Sequence, residues 1–272
     1  MTYLSARIPS SYLSRQLSHL THNCETLDYI TLHIKKKKNP LYISNRCTHT
    51  HTNTAKATLK SKKTFTIALS GGSLPKLLAK GLLAHKDKQS FEKWHVFFAD
   101  ERCVDLKHED SNFRNCMDSF LASTLIPRAN IHAIDASLKT PCDMAEAYEK
   151  EMRNVLGKDL SLDLVLLGMG PDGHTCSLFP NHKLLRETKR LVAHIEDSPK
   201  LPPKRITLTF PTLLRSKRIA FVTAGSSKAP ILPQVLEKGS TLPSGRAVAK
   251  DGTATWFVDK DAASKLRLDG KI

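Results

Sequence analysis

The chain has 272 residues, 40% apolar and 25% charged, which sets aside a fibrous or wholly unstructured protein and allows one large α/β domain or two small ones. No apolar run approaches the roughly 20 residues that a membrane helix needs. The formal charge of +16 would raise nucleic acid as a partner, yet residues 1–60 carry nine Lys or Arg against only Glu25 and Asp28. The remainder is moderately basic, which suits an enzyme handling anionic metabolites as well as it suits a weak polyanion binder.

Taken in chain order, residues 1–60 stand apart as an atypical basic segment. "IKKKKNP" and "NRCTHTHTNTAKATLKSKK" lack the three-to-four-residue apolar period of a helix face, so little regular structure is predicted there. Three origins are open. Alternating Thr and His is what a translated CA repeat encodes, and a Lys run is what a poly-A tract encodes, so one origin is a gene-model artefact. A genuine basic tail is the second. A targeting peptide is the third, because residues 1–24 hold Arg7, Arg15 and several serines but no acidic residue.

Residues 61–272 read as the folded domain. "TFTIALS" (64–70) predicts a strand, "GGS" a turn, and "LPKLLAKGLLAH" a helix with its leucines on one face. "WHVFFAD" predicts a strand ending at Asp100, and "SNFRNCMDSFL" a helix opened by Ser111 or Asn112. "NIHAI" suits a short strand, and "DMAEAYEKEMRNVLG" a helix closing on Gly157. "LDLVLLG" is the most apolar strand, as expected for one covered on both faces. Further strands follow in "RLVAHI", "RITLTF", "KRIAFVTAG" and "ATWFVD", with helices expected after the last two. This alternation predicts an α/β fold, a mainly parallel sheet with helices on both faces, whose ligands bind beyond the carboxyl ends of the strands.

The residues just after each strand are therefore the informative ones. "SGGS" sets Ser70, Gly71, Gly72 and Ser73 ahead of a helix, where backbone N–H groups and hydroxyls can meet a phosphate at the helix's positive end. The Walker spacing is absent. "ADER" supplies Asp100 and Arg102, the latter a planar fork suited to phosphate or carboxylate. Asp100 and Glu101 equally suit a structural ion pair with Arg102. "TAGSSK" puts Lys228 in the first turn of an expected helix, where a cation opposes the helix dipole, a placement that points to a bound anion. "GMGPDGHT" carries Gly170, Asp172 and His174. Imidazole ordinarily titrates near neutrality, the glycines let backbone and substrate come close, and Asp172 is placed to orient the ring or fix the turn. His174 is the candidate catalytic residue. Six cysteines, at 24, 47, 103, 116, 142 and 176, show neither a CxxC pair nor zinc-ligand spacing. A reducing, cytosolic compartment and no metal are expected.

"SGGS", "ADER", "GMGPDGHTCSLFP", "DSPKLPPKRITLTFP" and "TAGSSK", in this order, resemble the 6-phosphogluconolactonases over about residues 64–266, and "GPDGHTCSLFP" looks like the animal form. The related glucosamine-6-phosphate deaminases share the glycine loops, but after the histidine their pattern ends in Asn-Glu-Pro, where this chain has Thr175 to Pro180. The resemblance implies a Rossmann-like three-layer fold, hydrolysis of 6-phosphoglucono-1,5-lactone to 6-phosphogluconate in the oxidative pentose phosphate pathway, and no cofactor, metal or nucleotide. It implies His174 as the base for water, with Asp172, Asp100 and Arg102 beside it. An oxyanion would be held by N–H groups of the 168–174 loop or by Arg102, and the 6-phosphate by Ser70–Ser73 with Lys228, Arg102 being a second candidate for that task. The expected partner is the sugar-phosphate lactone alone, with neither membrane nor nucleic acid, on a monomer. Three alternatives stay open: an amino-sugar phosphate isomerase or deaminase on the same fold, a non-catalytic sugar-phosphate-binding protein, and RNA or DNA binding through the basic residues 1–60. The resemblance also implies an apolar-periodic helix ahead of the "SGGS" strand, which residues 1–60 do not match.

Overall fold

A computed structural model describes residues 5–7, 30–34, 41–84, 89–237 and 239–266. The Lys35–Lys38 run and the region of the expected targeting peptide, apart from residues 5–7, lie outside the described residues. The amino-terminal elements are β1 (Ser5–Arg7), β2 (Ile30–Ile34) and α1 (Leu41–Leu59). The orderly part follows as β3 (Phe65–Leu69), α2 (Leu74–Ala84), β4 (Trp94–Phe98), β5 (Asp100–Arg102), α3 (Asn112–Ser119), α4 (Pro141–Leu156) and β6 (Leu164–Leu167). It ends in β7 (Val192–Ile195), β8 (Arg205–Leu208), α5 (Phe210–Arg215), β9 (Ile219–Thr223), α6 (Leu232–Val235), α7 (Pro243–Arg246) and β10 (Ala254–Val258).

Seven strands form the main sheet in the order β1-β2-β10-β9-β6-β3-β4, parallel throughout except for β1. Alternate side chains on each strand feed two separate cores, as the two-residue period of a strand demands. Phe65, Ile67 and Leu69 of β3 join Trp94, Val96 and Phe98 of β4 on one face, under α1, α2 and α3. On the other face Phe97, Val165, Phe221 and Trp256 pack against Tyr148 and Met152 of α4. From β3 the chain moves outward to β4, then returns across β3 to β6 and continues to β9 and β10. That reversal leaves a crevice at the carboxyl ends of β3 and β6, where such sheets bind ligands.

Several elements differ from expectation. Residues 41–59 form a helix where little regular structure was predicted. Its buried positions, Cys47, Thr48, His51, Thr52, Thr54 and Ala55, do recur at helical spacing, but most are Thr or His, so a search for an apolar stripe misses them. Cys47 and Ala55 reach the core formed by β3, α2 and Phe257, so this helix covers the face that would otherwise be wet. "RLVAHI" and "RITLTF" leave the main sheet and form an antiparallel sheet in the order β5-β8-β7. Only residues 196–204 connect β7 to β8, fewer than the dozen or so a parallel crossover requires. "NIHAI" contributes a single bridge, Val96 with Ile131. After β9 a three-residue 3-10 turn, Ser226–Lys228, replaces the expected helix start, and residues 260–265 are turns rather than a helix. Ser111 is the cap of α3, its Oγ accepting from the Arg114 N–H at 3.2 Å, and α4 closes on Gly157 as expected.

Candidate active site

A cleft of about 290 Å³ opens at the reversal point. Its walls are the four strand-end segments, Ser70–Leu74 after β3, Asp100 and Arg102 after β4, Gly168–Pro171 with His174 after β6, and Thr223, Ala224 and Lys228 after β9. Buried polar atoms normally find partners. Among the described residues six buried side-chain nitrogens or oxygens have none, and three of them, Ser70 Oγ, Arg102 Nε and Thr223 Oγ1, belong to residues lining this cleft. No acceptor among the described residues takes the N–H of Gly71, Gly72 or Ser73 either. Unpaired donors thus gather at the amino end of α2, where the helix adds positive potential.

The loop after β6 is folded around its histidine. The Gly170 N–H donates to the His174 carbonyl at 2.9 Å and the Gly173 N–H to the Gly170 carbonyl at 3.1 Å, while Ser244 Oγ caps the same His174 carbonyl at 3.1 Å. A Cβ on Gly170 would stand 2.0 Å from the imidazole, so only glycine leaves room for the ring. The imidazole Nδ1 pairs with Asp172 Oδ1 at 2.5 Å, and Lys200 Nζ lies 3.3 Å from Nδ1 and 3.6 Å from the same carboxylate oxygen. With Nδ1–H donated to Asp172, Nε2 keeps its lone pair and has no hydrogen-bond partner among the described residues. Burial works to raise the Asp172 carboxyl, but the hydrogen bond and charge of His174, with Lys200, outweigh it and hold the group well below the usual carboxylate range.

All four pieces predicted from strand ends therefore line one cavity, with Asp172 behind His174. Their individual roles are more divided. Asp100 Oδ2 accepts from Ser177 Oγ at 2.7 Å and faces Arg205 Nη1 at 4.0 Å, so it anchors the wall between the two sheets. Arg102 donates through Nη1 to the Asp110 carbonyl at 2.6 Å and has no acidic partner among the described salt bridges, which removes the structural ion pair. Glu101 instead accepts from the N–H groups of Asn112 and Phe113, both at 2.7 Å, and fixes the start of α3. The Lys228 environment is set less by a helix dipole, since its turn is only three residues long, than by burial and then the charge of Lys200, which both push its ammonium below the ordinary range. Because Gly170, Gly173 and His174 spend their N–H groups inside the loop, the 168–174 backbone offers less to an oxyanion than the sequence suggested.

The glucosamine-6-phosphate isomerases/6-phosphogluconolactonase family model matches residues 39–256, which spans the cleft and also α1. The chain belongs to this family. Among its relatives, a probable 6-phosphogluconolactonase of Schizosaccharomyces pombe is 45% identical over 228 residues, 78% of this chain and 87% of that protein. The 6-phosphogluconolactonase of Rattus norvegicus is 41% identical over 210 residues, 75% of this chain and 81% of that one. In three dimensions, the crystal structure of 6-phosphogluconolactonase from Thermotoga maritima is similar with a TM-score of 0.74 and 30% identity, covering 85% of this chain and all of that one.

Within the family fold, three wall residues escaped the sequence reading. Lys200 sits in "DSPK", a loop that also follows a strand, β7, but one outside the main sheet. Arg205 opens β8 and reaches the carbonyls of Lys200 and Leu201 at 2.7 and 3.0 Å, holding that loop against the cleft. Asn112, predicted only as a helix cap, donates to the Asp100 carbonyl at 2.8 Å and packs so tightly on Gly71 that a Cβ there would meet its Oδ1 at 1.7 Å.

Proposed function

We infer that the chain hydrolyses 6-phosphoglucono-1,5-lactone to 6-phosphogluconate, the reaction named for its relatives in fission yeast and rat. One observation carries the reading: a histidine oriented through Nδ1, with Nε2 unpaired, shares a cleft with unpartnered donors at a helix amino end and with Arg102, Lys200 and Lys228. Among the described residues the cleft is lined by four cations, counting Arg205, and by one acid, Asp100; Asp172 stands behind His174, and both acids are already engaged. A phosphate dianion fits that surplus.

In this mechanism the 6-phosphate is held by Ser70, Gly71, Gly72 and Ser73 with Lys228, which places the lactone carbonyl toward His174. Nε2 takes a proton from water as the oxygen attacks the carbonyl carbon, and Asp172 supports the imidazolium that forms. Arg102 and Lys200 face the developing oxyanion, the task left open by the loop backbone. Collapse of the tetrahedral species breaks the bond from the carbonyl carbon to the ring oxygen, which leaves with the proton held on Nε2. The carboxylic acid product then ionises. Cytosolic placement belongs to the same reading and agrees with the five described cysteines being free thiols.

A coupled lactonase assay, at a pH low enough to suppress spontaneous hydrolysis, tests the reading directly. Enzyme-dependent formation of 6-phosphogluconate is expected. Its absence, with ammonia release from glucosamine 6-phosphate in its place, would overturn it.

A further inference from the structure

The glycine turn after β3 is gripped from outside the cleft by α3. Asn115, in the second turn of that helix, donates through Nδ2 to the carbonyl of Gly72 at 2.9 Å, and its own Oδ1 accepts from Ser119 Oγ at 3.3 Å. Asn115 does not line the cleft; it lies on a separate surface hollow between α2 and α3 with Lys76, Lys80 and Arg114. Gly72 and Ser73, by contrast, do line the cleft. A trans peptide is planar, with its C=O and N–H pointing in opposite directions. A Gly72 carbonyl drawn outward therefore turns the Ser73 N–H inward. Gly72 adopts φ +66°, a conformation in which glycine swivels readily and which the sequence alone leaves unrestrained.

We propose that Asn115 is a positioning residue that locks the Gly72–Ser73 peptide so that its N–H faces the phosphate of the substrate. Without the lock, the peptide can turn its carbonyl toward the phosphate, replacing a donor by a repelling acceptor. The proposal rests on the assignment of the Ser70–Ser73 turn to phosphate.

The test compares wild type with Asn115→Ala and Asn115→Asp, using Ser119→Ala as a control that leaves the Gly72 bond intact. Asn115→Ala replaces a poor helix former with the best one on a partly exposed helix face, so folding is preserved. Calorimetric titration with inorganic phosphate should show affinity lowered about fivefold in Asn115→Ala, the loss of one net hydrogen bond, and further in Asn115→Asp, which sets an acceptor against the carbonyl. The KM for the lactone should rise in step while kcat stays within about twofold, and Ser119→Ala should match wild type. A purely structural role would lower the melting temperature and leave phosphate affinity and KM alone, and that result overturns the proposal. Failure of the wild type to hydrolyse the lactone would overturn the functional reading instead. The phosphate titrations would still decide the role of Asn115.

Discussion

His174 and His51 are both withdrawn from water, and they differ in every other respect that matters to chemistry. His51 has no exposed surface, its Nε2 meets only the Cys47 thiol at 2.5 Å, and its Nδ1 has no partner. Burial alone drives its pKa down to about 3, so it stays neutral at ordinary pH and lines a small apolar cavity with Ile67, Leu69, Leu82 and Trp94. His174 keeps 16% of its side chain exposed to a cleft and is set between a carboxylate and an ammonium. Residue type is identical in the two places. Access and charged partners separate the proposed base from a piece of core.

Removing each ring tests that contrast most sharply. His174→Ala should reduce kcat by roughly 10²- to 10⁴-fold, the span of general-base catalysis, with product affinity and melting temperature nearly unchanged; turnover equal to wild type would end the mechanism. Asp172→Asn should come next. It exchanges the carboxylate for a neutral amide whose NH2 can donate to Nδ1 and favour the other tautomer, and a kcat loss on the order of tenfold to a hundredfold is expected, less than for a fully buried Asp–His pair because this carboxylate is part-exposed. Steady-state rates with an unchanged KM would check it. Lys228→Ala addresses binding in place of chemistry and should raise KM on the order of tenfold, as for a lost charged hydrogen bond, with kcat held.

The same contrast explains what could be read from the sequence. The loop around His174 was legible because its geometry demands residue types that leave a visible mark: a glycine where the ring needs space, an aspartate two residues before it, a strand that ends on schedule. The main sheet was legible through the apolar period of β3, β4, β6 and β9. Helix α1 was not, since its buried stripe is built from Thr48, His51, Thr52 and Thr54, whose methyl groups and rings pack as apolar surface while their polar atoms hide the pattern. Several of those atoms bond within the helix itself, as Thr54 Oγ1 does to the Thr50 carbonyl at 2.8 Å. Lys200 escaped for a topological reason: its loop, quoted only for the resemblance, reaches the cleft from the small antiparallel sheet, which the strand-end argument on the main sheet does not reach.

The last expected effect falls on His51 and concerns acid stability rather than rate. Its folded pKa of about 3 lies below the ordinary imidazole value of about 6.5, so the unfolded chain binds the proton more readily than the native one. The stability this residue contributes is therefore complete above about pH 6.5 and is lost as pH falls toward 3. By pH 4 the loss amounts to something on the order of 3 kcal/mol, or roughly 6–12 °C in melting temperature for a domain of this size. His51→Leu keeps a similar volume in the same pocket and removes the titrating group, so the drop in melting temperature between pH 7 and pH 4 should shrink by about that amount, with lactone turnover at pH 7 unchanged. The acidic groups that also unfold the protein in acid, Asp163 and Asp172 among them, are common to both chains and cancel in the difference. A drop of equal size in the two would mean that α1 loosens enough to let water reach His51, and the division between the two histidines would then be one of degree.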